Sequence, residues 1–270
     1  MKLLFCGDVV GKAGRVAITR HLPDLRRQLG LDFVIVNGEN SAHGFGITEG
    51  ICQAFYESGA DVITTGNHVW DQREIMNYID SDPRLLRPLN YPSGTPGAGS
   101  GVYEMPDGRK VMVVHPMGRL FMEPLDDPFA AAEAALAGTR LGRDANAIVI
   151  DIHAEATSEK MAFGHAFDGR VSLVVGSHSH VPTADTQILP GGTAYQTDAG
   201  MCGDYDSVIG MGKKAAVARF TSKLPKERLE PAGEEATLCA VYVETDDKTG
   251  LAVRAQPLRL GGRLSPHWPA

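Results

Sequence analysis

His178-Ser179-His180 sets two imidazoles two residues apart, directly after the apolar run Val171-Ser172-Leu173-Val174-Val175 and the turn Gly176-Ser177. An apolar run that ends in glycine predicts a buried parallel strand opening into a loop. In parallel α/β sheets, ligands bind at the carboxyl ends of the strands. Imidazoles at i and i+2 can reach one metal there, or one each of two neighbouring metals. A hydrogen-bonded pair of loop histidines has the same spacing, so the neighbouring strand ends decide between the two.

Four other strand ends carry donors. The first predicted strand, 2–6, runs into Gly7-Asp8-Val9-Val10-Gly11. The second, 32–36, ends in Asn37-Gly38-Glu39-Asn40, and the third, 61–64, in Gly66-Asn67-His68. A later strand, 147–152, ends in His153. Taken singly, Asp8 could be a helix N-cap, Asn37 or Asn40 a turn residue and His153 a satisfied core histidine. Five coincidences at one sheet edge favour a shared site instead. Oxygen and imidazole donors without thiolate suit Fe, Mn, Zn or Co. About seven donors are too many for one tetrahedral ion and suit two ions roughly 3.5–4 Å apart. Two divalent ions outweigh Asp8, Glu39 and a shared hydroxide by about one charge unit, enough to hold an anionic phosphate.

The elements that must position these residues alternate from the start. A helix is predicted from about 14 to 29, stopped by Gly30 and bent or divided at Pro23. Thr48 caps a second helix through Cys52, Phe55 and Tyr56, and Asp71 or a neighbour opens a third that reaches Ile79. The Pro- and Gly-rich stretch 87–100 reads as a long surface loop. Runs at 102–104 and 110–114, joined through Pro106-Asp107-Gly108, predict an antiparallel hairpin. Helices over 128–137 and 158–167 flank the strand 147–152. Runs at 185–189, 193–196, 235–243 and 251–257 read as β, taken as antiparallel, and 261–270 as coil. The expected architecture is α/β: one domain over residues 1–270, a mixed sandwich with helices outside two sheets.

Composition limits the function classes. Of 270 residues, 43% are hydrophobic and 22% charged, ordinary values for a chain that buries a sizeable core. The formal charge of −7 argues against long nucleic acid as partner, because phosphate-backbone binding needs a basic surface. Neither a membrane span nor a signal peptide is expected. Cys6, Cys52, Cys202 and Cys239 are far apart with no C-x-x-C, which suits reduced, buried thiols and a cytoplasmic location.

The order Gly-Asp, acidic/Asn, Gly-Asn-His, lone His and Gly-x-His-x-His resembles the calcineurin-like metallophosphoesterase superfamily. More narrowly, Gly7-Asp8-Val9-Val10-Gly11, Asn37-Gly38-Glu39-Asn40, Thr65-Gly66-Asn67-His68-Val69-Trp70-Asp71 and Thr197-Asp198-Ala199-Gly200-Met201 are similar to the bacterial YmdB-like phosphodiesterases. Two departures from the superfamily pattern, Val10 in place of a histidine and Glu39 in place of a bridging aspartate, match the narrower family. The resemblance implies a four-layer α/β/β/α sandwich of two mixed sheets, and two transition-metal ions, Fe or Mn with Zn as a further option. It implies Asp8, Asn40 and His180 on one ion, Asn67, His153 and His178 on the other, and Glu39 bridging them. His68 would be the general acid, with a third ligand or a structural hydrogen bond as its other readings. The implied reaction is hydrolysis of small phosphodiesters, 2′,3′-cyclic nucleotides such as 2′,3′-cAMP, by a bridging hydroxide. A homo-oligomer is also implied.

Phosphomonoesterase or nuclease activity would use the same residues, and a regulatory protein that senses nucleotide or phosphate, with incidental turnover, is a reading of another class. Less specific are His43, a substrate contact or a surface-loop residue, and Lys12 and Arg15, phosphate holders or solvated helix residues. His115 and His165 are expected to be structural, Asp198 to support a ligand histidine, and Cys6 to be core.

Overall fold

The computed structural model describes residues 1–223 and 227–269. In chain order the strands are β1 (Lys2–Cys6), β2 (Asp8–Val9), β3 (Phe33–Asn37), β4 (Val62–Thr64), β5 (Leu85–Leu86), β6 (Ser100–Glu104) and β7 (Lys110–Val114). There follow β8 (Ala147–His153), β9 (Leu173–Ser177), β10 (Gln187–Ile188), β11 (Ala194–Gln196), β12 (Met201–Cys202), β13 (Leu238–Thr245) and β14 (Ala252–Leu260). The helices are α1 (Gly11–Leu29), α2 (Glu49–Glu57), α3 (Ile75–Tyr78), α4 (Pro128–Leu136), α5 (Thr157–Ala166) and α6 (Lys213–Thr221).

Two six-stranded mixed sheets form, in the orders β14-β13-β1-β3-β4-β5 and β10-β11-β9-β8-β7-β6. Strand alternation explains how they stack, since successive side chains point to opposite faces. In β1, Leu4 and Cys6 face the core beneath α1 and α2, whereas Leu3 and Phe5 face the second sheet. In β8, Ala147 and Val149 meet the first sheet, while Ile148, Ile150 and Ile152 pack with Phe163 and Phe167 on the far side. Both faces of both sheets are therefore apolar, which requires helices outside and sheet against sheet inside. The α/β/β/α sandwich is what results.

Several local expectations are corrected. Helix α1 starts at Gly11 and passes through Pro23 unbroken. Proline in a helix interior costs about 3 kcal/mol, but Ile18, Leu22 and Leu25 are buried along this face, each contributing roughly 1.5–3 kcal/mol. The helix expected from Asp71 is only the single turn of α3, followed by a 3₁₀ turn over Ile79–Ser81. Asp71 and Gln72 are engaged elsewhere, with His68 and the carbonyl of Phe45. Strand β11 pairs in parallel with β9, Tyr195 opposite Val174, because the tight β10-β11 hairpin at the sheet edge reverses the chain first. Helix α6, with Ala216 as its buried residue, has too thin an apolar stripe to be legible in the sequence. No helix among the described residues is long and apolar enough to cross a membrane.

Candidate metal centre

Asp8 lies just past β1, Glu39 and Asn40 just past β3, and Asn67 and His68 past β4. His153 is the last residue of β8, and His178 and His180 follow β9. The first group comes from one sheet and the second from the other, and the two carboxyl edges meet. His153 Nε2 is 3.1 Å from Glu39 Oε2, 3.2 Å from Asn67 Oδ1 and 3.1 Å from His178 Nδ1. Potential ligand atoms of Glu39, His153 and His178 all lie within 4.8 Å of one another. The same Glu39 Oε2 is 3.2 Å from Asn40 Nδ2, which in turn is 3.1 Å from His180 Nε2. His180 Nε2 is 3.8 Å from Asp8 Oδ1, and both Asp8 oxygens accept from the His178 backbone N–H at 3.2 Å. All seven candidate donors are thus gathered into two groups with Glu39 between them.

The outward nitrogen of each histidine has a partner. His153 Nδ1 is 2.9 Å from Ser177 Oγ, which donates to Asp151 Oδ1 at 2.6 Å. Asp151 is itself fully buried and held by Thr64 Oγ1 at 2.6 Å, Asn37 Nδ2 at 3.2 Å and His115 Nδ1 at 3.1 Å. His180 Nδ1 donates to the carbonyl of Ile209 at 2.8 Å, and His178 Nε2 faces Glu155 Oε2 at 3.3 Å. With those protons directed outward, the inward nitrogens are lone pairs. Lone pairs of His153, His178, Glu39 and Asn67 then converge with no proton among them, an arrangement that suits a cation. The donor set fits the metal ions that the motifs imply.

The electrostatics agree. Burial, reinforced by Asp198, Glu39 and Asp151, pushes the Asp8 carboxyl well above the usual carboxylate range. Burial pushes His178 down to about 3, with His153 adding to it, and burial also lowers His180. Burial opposes ionisation of Glu39, but neighbouring His153 more than offsets it and holds Glu39 below the carboxylate range. A divalent cation would supply positive charge there, keep both carboxylates ionised and free the imidazole lone pair.

His178 and His180 have φ of 93° and 64°, the left-handed region. Each such residue costs about 1–3 kcal/mol and persists only where its surroundings enforce it. The enforcing group is Asp198, placed differently from the expected contact with a ligand histidine. Its Oδ2 accepts from the Ser179 backbone N–H at 3.1 Å, Ser179 Oγ at 2.6 Å and Lys160 Nζ at 2.7 Å, so it grips the residue between the two histidines. Lys160 is fully buried, and its pairing with Asp198 leaves neither charge unpartnered.

His68 is set apart from the ligand atoms. Its backbone N–H donates to Glu39 Oε1 at 2.8 Å, while its ring binds Asp71 Oδ2 through Nδ1 at 2.9 Å and packs edge-on against Phe45. His115 is buried against Asp151 and His165 is exposed on α5, so neither reaches the site. His43 is exposed at φ 55°, outside the lining of the cavity beside the metal ligands. Lys12 lines a separate depression with Arg20 and Glu234, and Arg15 braces the Ser41 carbonyl at 2.5 Å. Cys6 is buried core, and all four cysteines are free.

Sequence reasoning did not find Asp151, Ser177, Lys160, Glu155 or Ile209. Asp151 left a signal, an acid inside the otherwise apolar strand Ala-Ile-Val-Ile-Asp-Ile-His, which is costly to bury without a task. Removing the hydroxyl that orients His153 tests this support. Ser177→Ala is expected to lower metal affinity by about 10–100-fold, read by titration with a chromogenic chelator. Unchanged affinity would show that Ser177 does not hold the ring.

Two stacked mixed sheets whose carboxyl edges deliver a histidine- and carboxylate-rich cluster define the metallophosphoesterase type of hydrolase. The chain belongs to the YmdB-like protein family, whose model matches residues 4–258. It is 47% identical over 256 residues to the 2′,3′-cyclic-nucleotide 2′-phosphodiesterase of Bacillus subtilis (strain 168), covering 95% of this chain and 96% of that one. Among solved structures, a hypothetical protein from Thermus thermophilus superposes with a TM-score of 0.90 at 41% identity, covering 97% of this chain and all of that one. A Mycoplasma pneumoniae phosphatase superposes with a TM-score of 0.88 at 36% identity, covering 97% of this chain and 93% of that one.

Proposed function

We propose that the chain is a dinuclear metal-dependent phosphodiesterase of small substrates, with 2′,3′-cyclic nucleotides its principal class. The observation that carries this reading is the convergence of potential ligand residues from five strand ends around Glu39, whose Oε2 lies beside both His153 and Asn40. Asp8, Asn40 and His180 would hold one ion, Asn67, His153 and His178 the other, with Glu39 between. Half a turn of the Asn40 amide puts Oδ1 where Nδ2 now sits, an exchange of nearly equal shape. Donors of oxygen and imidazole suit iron or manganese, and zinc also fits. When bound, the ions supply a water acidic enough to act as nucleophile at neutral pH and positive charge for the phosphate oxygens. The donors come from both sheets, so neither sheet makes the site alone and the two act as one catalytic domain.

The remaining work falls to His68. Asp71 engages Nδ1, which leaves Nε2 to carry the proton that the departing ribose oxygen needs. Water loses a proton as its oxygen adds to phosphorus, the P–O2′ bond breaks, and the proton on His68 passes to the 2′ oxygen, giving a 3′-monophosphate. The proton released by the water restores His68 through solvent. The 2′ regiochemistry follows the name of the Bacillus relative.

The test is turnover of 2′,3′-cAMP and bis-p-nitrophenyl phosphate by protein loaded with manganese or iron, beside its metal content by elemental analysis. About two metals per chain and hydrolysis of both esters are expected, and neither ester cleaved would sink the reading. His68→Ala should lower kcat about 10²-fold with metal content unchanged, whereas loss of a metal would make His68 a ligand.

A further inference from the structure

Beside the candidate ligands opens a cavity of about 280 Å³, and its walls differ in character. Glu39, His178 and His180 contribute to its lining, and Phe45, Ile209, Met211 and Leu229 give it an apolar part. A cyclic phosphodiester on its sugar is polar throughout, so an apolar wall serves no part of it. We infer that this wall is a nucleobase subsite, with Phe45 and Ile209 its specificity-determining residues; the inference rests on the phosphodiesterase reading above.

Ile209 is the most telling residue. It is 54% exposed and has φ 46°, a conformation that a β-branched residue adopts only under constraint. Folding alone gains nothing from a strained residue that leaves its side chain in water. The same residue accepts the His180 Nδ1 proton through its carbonyl, so one backbone conformation orients a candidate ligand and turns an apolar side chain into the cavity. It is held there by reciprocal backbone bonds between Val208 and Met211 at 2.9 and 3.0 Å, and by Gly210 N–H on Ser207 Oγ at 2.8 Å.

Phe45 is equally fixed. Its N–H donates to the Ala42 carbonyl at 3.0 Å, its own carbonyl accepts from Gln72 Nε2 at 2.8 Å, and its ring lies 5.0 Å from the ring of His68. An aromatic ring beside the proposed acid, facing a cavity sized for one mononucleotide, offers a stacking surface to a base. None of the four apolar side chains carries a hydrogen-bonding group of a kind that reads base edges. Glu155 and Ser179 also line the cavity, but the Ser179 hydroxyl is engaged by Asp198 and the Glu155 carboxylate faces His178 Nε2, so recognition would act on the π-face and all four bases would be accepted.

The experiment compares manganese-loaded wild type, Phe45→Leu and Ile209→Ala on the 2′,3′-cyclic phosphates of A, G, C and U and on cyclic ethylene phosphate, which has no base. The ratio of kcat/KM for a cyclic nucleotide to that for the base-free ester should fall about 10-fold or more in Phe45→Leu, and less in Ile209→Ala. Among the four bases, wild-type kcat/KM should vary by less than about 10-fold. A ratio unchanged in both variants, or strong discrimination among bases, would overturn the inference. Calorimetric binding of 3′-AMP against inorganic phosphate reads the subsite without turnover. Wild type should bind 3′-AMP about 10-fold or more tighter, and Phe45→Leu should lose that preference; equal binding by wild type overturns the subsite. Preference for 3′-AMP with no cyclic nucleotide hydrolysed overturns the phosphodiesterase reading and keeps the subsite.

Discussion

Glu39→Gln is expected to lower kcat/KM about 10³-fold or more, roughly 4 kcal/mol of transition-state stabilisation, and to reduce bound metal from about two per chain to one or none. The substitution is almost isosteric, so the loss reports charge rather than shape. Glu39 is fully buried, its Oε2 lies 3.1 Å from His153 Nε2 and 3.2 Å from Asn40 Nδ2, and its Oε1 accepts from the His68 N–H. Its Oε2 alone touches a residue of each donor group at hydrogen-bond distance. A glutamine there removes half of the carboxylate charge that Asp8 and Glu39 together would offer to the proposed ions. Its NH₂ would also donate to the lone pair of His153, closing the atom that a cation needs. Elemental analysis and steady-state kinetics on one preparation check the outcome, and two metals with full activity would refute the role. The same variant separates an enzyme from a sensor. If it abolishes hydrolysis yet restores a cellular phenotype of a deletion strain, catalysis is not the cellular function.

Gly66→Ala should be as damaging through sterics alone. A Cβ at position 66 would overlap both His153 Nε2 and Glu39 Oε1 and lie 2.5 Å from His153 Cε1. Neither side chain can retreat, because His153 is tied through Ser177 to Asp151, and Glu39 to the His68 amide. A misplacement of one ångström in a catalytic group costs about 10²-fold, and here two groups move together, so a loss near 10³-fold follows. The fold should survive with about 1–3 kcal/mol of overpacking cost. Thermal melting should show a folded protein, elemental analysis a metal-poor one. A folded Gly66→Ala variant with two metals per chain would mean that the ligand atoms lie elsewhere.

Much of the site is legible in the amino-acid order, because each donor follows an apolar run. Asp8, Glu39, Asn67, His153 and His178 all stand at a strand's end or within three residues after it, and the rule that ligands gather at strand carboxyl ends needs only local sequence. The layers are legible for a related reason: runs such as Phe-Val-Ile-Val-Asn have no polar face to give to water, so both faces must be covered. Errors fall where local pattern is weak. Two-residue strands such as β2 and β12 are too short to show a period, and the direction of β11 depends on a hairpin at the sheet edge.

The strand-end His-x-His motif alone does not tell one metal from two, or a ligand from a loop contact. The sequence by itself determined which donor types are present, at which strand ends, and that no thiolate stands among them. Tertiary structure decided which nitrogen of each ring faces inward, and that Glu39 stands between the two groups. It also decided that Asp198 and Lys160 hold His178 and His180 in the left-handed region. The physical reason is range. A strand's alternation is written in adjacent residues, whereas the hydrogen bond from His178 to Asp8 spans 170 residues and the approach of His153 to Asn67 spans 86. Contacts of that kind exist only after two sheets have packed their edges together, and only then do the outward partners fix the direction of the lone pairs.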